Sequence, residues 1–214
     1  MDNDKLTVRL SQVLAQESGQ DQEVLLYSLT LLKSSLMGYG LLFLVSFIFG
    51  VWQYALVAAV TASLFRVFSG GAHASTPRNC SIIGLTVFTV FGLVADNIPA
   101  IVDRMFLTGP ILVLVVLGFV VFYLYVPADT PGKPINSYAQ KKYLRGISFS
   151  LLVVWSGAVF YGVRTFAGYP FDNYVVATLL GLSWQVFTLT PLGYSFNGSL
   201  DTFLKFLLER RRET

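Results

Sequence analysis

Long apolar runs separated by short polar breaks occupy most of this chain. The runs cover about residues 24–51, 52–68, 80–97, 106–126, 146–167 and 174–191. A helix needs about 20 predominantly apolar residues to cross the hydrocarbon core of a bilayer, so the pattern predicts an all-α, polytopic integral membrane protein with about six transmembrane helices. The runs at 52–68 and 80–97 approach the lower limit of about 17 residues, which leaves a re-entrant hairpin there as an alternative.

The two ends of the chain have a different pattern, in which apolar residues recur at helical spacing among polar ones. They are Leu6, Leu10, Val13 and Leu14 at one end and Leu200, Phe203, Leu204 and Leu207 at the other. We expect amphipathic helices at 1–22 and 199–212, the second started by Ser199 and Asp201. These helices lie along the inner leaflet or, alternatively, pack together as a dimer contact. With a transmembrane bundle at 24–191, residues 1–214 are expected to form a single membrane-embedded domain.

The composition agrees with a membrane protein. Hydrophobic residues make up 54% of the chain and charged residues 13%, with a mean hydropathy of +0.63, whereas soluble proteins average about 45–50% apolar and about 25% charged residues. The acidic first 23 residues and the lack of a small-residue cleavage site predict no cleavable signal peptide. One cysteine and one histidine are too few for a disulfide or a usual zinc site, so no metal or other cofactor is expected.

Positive charges are distributed unevenly among the breaks between the runs. With both termini in the cytoplasm and six crossings, only Arg104 and Arg164 fall near the outer side. The inner side receives Lys5, Arg9, Arg66, Arg78, Lys133, Lys141, Lys142, Arg145, Lys205 and Arg210 to Arg212. The positive-inside rule therefore places residues 69–79 at the cytoplasmic face, where reducing conditions keep a lone thiol free. The net charge of +3 does not indicate nucleic-acid binding, and the basic residues instead face anionic lipid of the bilayer or an acidic partner.

The only histidine and the only cysteine, His73 and Cys80, lie seven positions apart in one of these inner breaks. A thiolate is a strong nucleophile and imidazole accepts a proton near neutral pH, so the pair indicates acyl transfer. In a straight helix they would be about 10 Å apart, too far for proton transfer. The chain must therefore bend between them, and Gly70, Gly71 and Pro77 favour such a bend.

The surroundings of Cys80 favour its thiolate form. We expect Asn79 and Cys80 to begin the next helix, where the helix dipole and the neighbouring Arg66 and Arg78 all favour a negative charge. Each feature also has a structural explanation: a membrane cysteine can fill a small apolar space, an interfacial histidine can be an anchor, and paired glycines can let helices pack. Their coincidence beside an arginine at the membrane edge favours a chemical role.

Two stretches of the chain resemble a known family. Arg66-Val-Phe-Ser-Gly-Gly-Ala-His73-Ala, followed by Cys80, resembles the signature of the accessory gene regulator B family, membrane-embedded cysteine endopeptidases of Gram-positive bacterial quorum sensing. Tyr125-Val-Pro-Ala-Asp129-Thr-Pro-Gly-Lys-Pro134-Ile resembles the family's cytoplasmic loop. The amphipathic start, the length and the hydropathy profile also agree, so the resemblance covers nearly the whole chain.

The resemblance implies an enzyme at the inner face of the bacterial cell membrane that acts on a ribosomally made signal propeptide. In this hypothesis Cys80 attacks the peptide carbonyl before the acidic C-terminal tail, with His73 as general base, and the signal remains on Cys80 as a thioester. An internal cysteine or serine of the substrate then closes a thiolactone or lactone ring. The resemblance also implies a homodimer.

Further site positions follow from the same resemblance. Arg66 is assigned to substrate carboxylate binding or thiolate stabilisation, and Ser69, Gly70 and Gly71 to the bend. Lys141 and Lys142 are candidates for holding the acidic tail, or are simply positive-inside charges. Asp129 orients His73 or contacts substrate in one interpretation and caps a turn in the other. No third catalytic residue is assigned.

A transporter or a non-enzymatic membrane scaffold is the alternative function. It accounts for the hydropathy and for charged residues near the membrane, such as Asp96, Asp103, Arg104 and Arg164. It does not explain why histidine, cysteine and paired glycines occur together.

Overall fold

The computed structural model describes residues 2–98, 108–128, 137–166 and 168–210, which contain helices and no strand. In chain order the helices are α1 (Asp2–Ser18), α2 (Gln22–Ile48), α3 (Trp52–Ser69), α4 (Pro77–Asn97), α5 (Thr108–Tyr125), α6 (Tyr138–Thr165), α7 (Phe171–Leu189) and α8 (Pro191–Arg210). Each of the six predicted apolar runs forms a helix, and the all-α prediction is confirmed.

The helices α3 and α7 lie at the centre of the bundle. α3 packs against α2, α4, α6 and α7, and α7 also contacts α4, α5 and α8. Gly181 allows this close approach, because a Cβ atom there would overlap the carbonyl oxygen of Ala58. The hydroxyls of Thr61 and Thr178 are 2.9 Å apart, and the Trp155 indole donates a hydrogen bond of 2.8 Å to Thr178. Small residues and paired hydroxyls are the usual means by which helices pack in a membrane.

Within the described part of the chain, four helices are long and apolar enough to cross a membrane: α2, α4, α5 and α6. The helices α7 and α8 meet at an angle of 92° and supply a fifth span if the bent pair is counted as one. The predicted polytopic membrane protein is thus supported, but the number of about six spans is not confirmed. The central helix α3, which carries Gln53, Thr61 and Arg66, is covered mainly by other helices, so it does not need a continuous apolar surface.

The terminal helices agree with the prediction only in part. Leu6, Leu10 and Val13 of α1 are exposed along one face, as expected of an amphipathic helix. The predicted start of the C-terminal helix at residue 199 is wrong, because α8 begins at Pro191 and runs through Ser199 and Asp201. Thr190 starts it by accepting a hydrogen bond from the Gly193 N–H, with proline at the first helical position. Residues 211 and 212 lie outside the described part of the chain.

One end of the bundle combines the last residues of α3, α5 and α7 with the first residues of α4, α6 and α8; we call it the α4 end. The Ala128 N–H, just after α5, donates to the Ser69 carbonyl at 2.8 Å, and the Ala72 N–H donates to the Thr188 carbonyl at 2.9 Å. Arg145 of α6 donates to the Tyr123 carbonyl at 2.7 Å. These contacts bring together segments that are far apart in sequence, and the predicted chemical residues lie here.

Candidate active site

The turn between α3 and α4 has the predicted bend. Gly70 (φ 73°, ψ −153°) and Gly71 (φ 133°) both have positive φ, a conformation that only glycine adopts readily. A Cβ atom on Gly70 would also overlap the Ala128 carbonyl oxygen. The chain therefore needs glycine here both for its backbone angles and for its close approach to the segment after α5.

Cys80 lies in the first turn of α4. Thr76 is extended (φ −127°, ψ 146°), Pro77 is the first helical residue, and the Thr76 hydroxyl caps the helix by accepting from the Asn79 N–H at 3.2 Å. The Cys80 N–H donates to the Thr76 carbonyl at 3.1 Å. The helix begins at Pro77, before the predicted Asn79, since threonine and proline supply a cap and a first residue. The partly buried thiol is thus near the positive end of the helix dipole.

The end of α7 fixes the first half of the turn. Gln185, which is fully buried, donates from Nε2 to the Ser69 hydroxyl at 2.9 Å and to the Gly70 carbonyl at 2.7 Å. Thr188 accepts from the Ala72 N–H, as described above. Neither residue was predicted to belong to the site, and the only signal for them in the sequence is a polar glutamine within an otherwise apolar run. Ser69, predicted as a supporting residue, is part of this network.

A buried carboxylate from α8 fixes the second half of the turn. Asp201 Oδ1 accepts from the Ser75 N–H at 3.2 Å and from Asn79 Nδ2 at 2.8 Å. Its Oδ2 lies 2.9 Å from Lys205 Nζ. Asp201 was predicted as a helix start and not as part of this site, because the local pattern carries no signal for a contact made across 122 residues.

Arg66 lies in the last turn of α3 and contacts the turn that follows. Its Nη2 donates to the Ala72 carbonyl, and its buried Nε has no hydrogen-bond partner among the described residues. Its charge interacts with both the Cys80 thiol and the His73 imidazole. Both predicted roles for Arg66, substrate carboxylate binding and thiolate stabilisation, stay predictions.

His73 is in the exposed part of the turn. The protein packed around it, and secondly the charge of Arg66, lower the pKa of His73 to about 4. Its imidazole is therefore neutral at physiological pH and has a free lone pair. The turn holds His73 and Cys80 at one end of the bundle, and among the hydrogen bonds of the described residues none joins the two side chains.

The remaining predicted positions lie near the α4 end or fall outside the described residues. Lys141 and Lys142 are exposed in the first turn of α6. Asp129 falls outside the described residues, so its two interpretations stay predictions. Within the described ranges, no three histidine, cysteine or acidic side chains are grouped to hold a metal ion.

The chain matches known proteins along most of its length. The profile of the accessory gene regulator B family matches residues 4–189. An AgrB-like protein of Clostridium perfringens (strain SM101 / Type A) is 24% identical over 96% of this chain and 99% of its own length. A second from C. perfringens (strain 13 / Type A) is 25% identical over 87% and 89% of the two chains, and one from Listeria monocytogenes serotype 4b (strain CLIP80459) is 24% identical over 78% and 76%. No solved structure matches.

Proposed function

The chain belongs to the accessory gene regulator B family, which points to a role in bacterial quorum sensing, and on this premise we propose that it is a membrane cysteine endopeptidase. It cleaves a signal propeptide on the C-terminal side of the signal and assists its cyclisation to a thiolactone or lactone. One observation carries the proposal: the turn 70–76 brings the only histidine and the only cysteine to the same end of the bundle, and the charge of Arg66 interacts with both.

The first step transfers the signal peptide to the enzyme. The Cys80 sulfur attacks the carbonyl carbon, a C–S bond forms, and the C–N bond to the tail breaks. His73 accepts the thiol proton and returns it to the amine of the leaving tail. The charge of Arg66 and the positive end of α4 stabilise the negative charge that develops in the transition state.

The second step releases the product. A cysteine or serine side chain of the bound signal attacks the thioester carbonyl, its own proton passes to the Cys80 sulfur through His73, and the ring closes as Cys80 leaves. Exchange of one thioester for another is nearly balanced in free energy and needs no ATP. A tethered nucleophile has a high effective concentration, which favours cyclisation over hydrolysis by water.

The charge at the α4 end supports an acidic substrate and an inner location. Arg78, Lys141 and Lys142 accompany Arg66 at this end, so an acidic propeptide tail meets complementary charge. Under the positive-inside rule this end faces the cytoplasm, where the propeptide is made. We expect the enzyme to act in the bilayer as a homodimer.

The test is cleavage of a short propeptide with an acidic tail and an internal cysteine or serine, of the kind the proposal expects to be encoded beside this chain, by the full chain in liposomes. Wild type releases the tail and forms a hydroxylamine-sensitive thioester, while Cys80→Ala and His73→Ala release none. Ser81→Ala, the neighbouring position on α4, is the matched control and keeps activity. Tail release by Cys80→Ala would overturn the proposal, as would movement of intact peptide across the membrane without cleavage, the behaviour of a transporter.

A further inference from the structure

Asp201 places a buried carboxylate against the turn that carries the proposed catalytic residues. Asp201 is 6% exposed and Asn79 is 1% exposed. Burying a carboxylate costs several kcal/mol unless hydrogen bonds compensate. Here the compensation comes from two donors on the turn, the Ser75 N–H and Asn79 Nδ2, and from Lys205 on α8 itself.

The two donors lie on opposite sides of Pro77. Ser75 belongs to the extended segment before α4, whereas Asn79 belongs to the first turn of the helix. One oxygen atom, Oδ1, accepts from both, so it fixes the angle between the segment that follows His73 and the helix that carries Cys80. The bond to Asn79 is charge-assisted and therefore stronger than an ordinary hydrogen bond.

The other half of the turn is held by α7, through Gln185 and Thr188. Between the α7 contacts, which end at Ala72, and the α8 contacts, which start at Ser75, lie only His73 and Ala74. The separation of His73 and Cys80 is thus set by α7 and α8 together, across their 92° bend. The family match ends at residue 189, so α8 follows the matched region.

We propose that Asp201 is a positioning residue for acyl transfer, holding His73 and Cys80 in register through its bonds to Ser75 and Asn79. This inference rests on the proposed function. An ion pair between Asp201 and Lys205 along the surface of α8 would not require the carboxylate to be buried against α4. The proposed positioning therefore depends on the bonds of Asp201 to Ser75 and Asn79, and not on its ion pair with Lys205.

Replacing Asp201 by alanine removes both bonds and leaves Asn79 Nδ2 buried without an acceptor. The turn then loses its fixed geometry while the proposed substrate contacts of Lys141 and Lys142 stay in place. We expect kcat for the propeptide to fall about 10- to 100-fold, with KM nearly unchanged, as for a misplacement on the order of 1 Å. Asp201→Asn keeps an acceptor oxygen without the charge, and its kcat falls by less.

The matched control is Lys205→Ala, which removes the ion pair of Asp201 but neither bond to the turn. It keeps kcat within about twofold of wild type, since both hydrogen bonds between Asp201 and the turn remain. Thr178→Val is a second control: it weakens the bundle core, lowering the melting temperature without reaching the turn. If Asp201→Ala does not fold, Asp201→Asn replaces it, and wild-type kcat in that variant contradicts the proposal.

A second readout does not depend on peptide cleavage. Because Cys80 is the only cysteine, its alkylation by a membrane-permeant thiol reagent can be followed against pH in the full chain without substrate. Asp201→Ala shifts this pH profile, while Lys205→Ala and Thr178→Val leave it unchanged. An unshifted profile with wild-type kcat overturns the positioning role. If Asp201→Ala shifts the alkylation profile but Cys80→Ala still cleaves the propeptide, the proposed function is refuted. The influence of Asp201 on the position of Cys80 is then still supported.

Discussion

Replacement of Gly70 by alanine tests the geometry of the turn directly. At φ 73° and ψ −153°, an L-residue is in a region that is essentially restricted to glycine and costs about 1–3 kcal/mol. The added Cβ would also overlap the Ala128 carbonyl oxygen. Displacing Ala128 breaks its 2.8 Å bond to the Ser69 carbonyl, worth about 0.5–1.5 kcal/mol. The expected total destabilisation is about 1.5–4.5 kcal/mol.

The assay compares Gly70→Ala with Gly157→Ala. Gly157 is exposed on α6, and a Cβ there would meet nothing within 4 Å, so alanine stabilises that helix by about 0.5–1 kcal/mol. We expect Gly70→Ala to lower the melting temperature in detergent micelles, to expose the turn to protease and to reduce tail release, whereas Gly157→Ala does none of these. Equal melting temperatures for the two variants would refute the reasoning.

Four further results are expected. The pKa of His73, about 4 because the surrounding protein partly desolvates the ring and because of the charge of Arg66, implies that the imidazole stays neutral and that activity persists as the pH falls to near 4. Arg66→Gln raises the pKa of His73 towards its ordinary value of about 6.5, and NMR of the only histidine measures this pKa. A wild-type pKa of about 6.5 would contradict the lowered value. A membrane-impermeant thiol reagent labels Cys80 in inverted vesicles and not in intact cells, and labelling from outside would reverse the proposed orientation. Joint replacement of Lys141 and Lys142 by alanine raises KM a few-fold with kcat unchanged, and the difference shrinks in high salt; an unchanged KM would remove them from tail binding.

Local sequence determined the helices and the bend of this protein. Apolar runs of helical length form helices wherever the backbone must satisfy its own hydrogen bonds in lipid. Gly70 and Gly71 interrupt the helices because glycine readily adopts positive φ, and Pro77 does so because proline disfavours the helical conformation of the residue before it. The position of Cys80 in the first turn of α4 follows from the same local rules. The sequence therefore predicted both candidate catalytic residues and the break between them.

Only the tertiary structure decided what holds that break in place. Asp201 has the local pattern of a helix start, yet it is buried against Asn79, and Gln185 contacts Ser69 from a helix more than a hundred residues later. The start of α8 at Pro191 and its angle to α7 were likewise not determined by periodicity. The physical reason is that a hydrogen bond between distant residues depends on how α3 packs against α7 and on where α8 then turns. No pattern within a short window of the chain specifies that geometry.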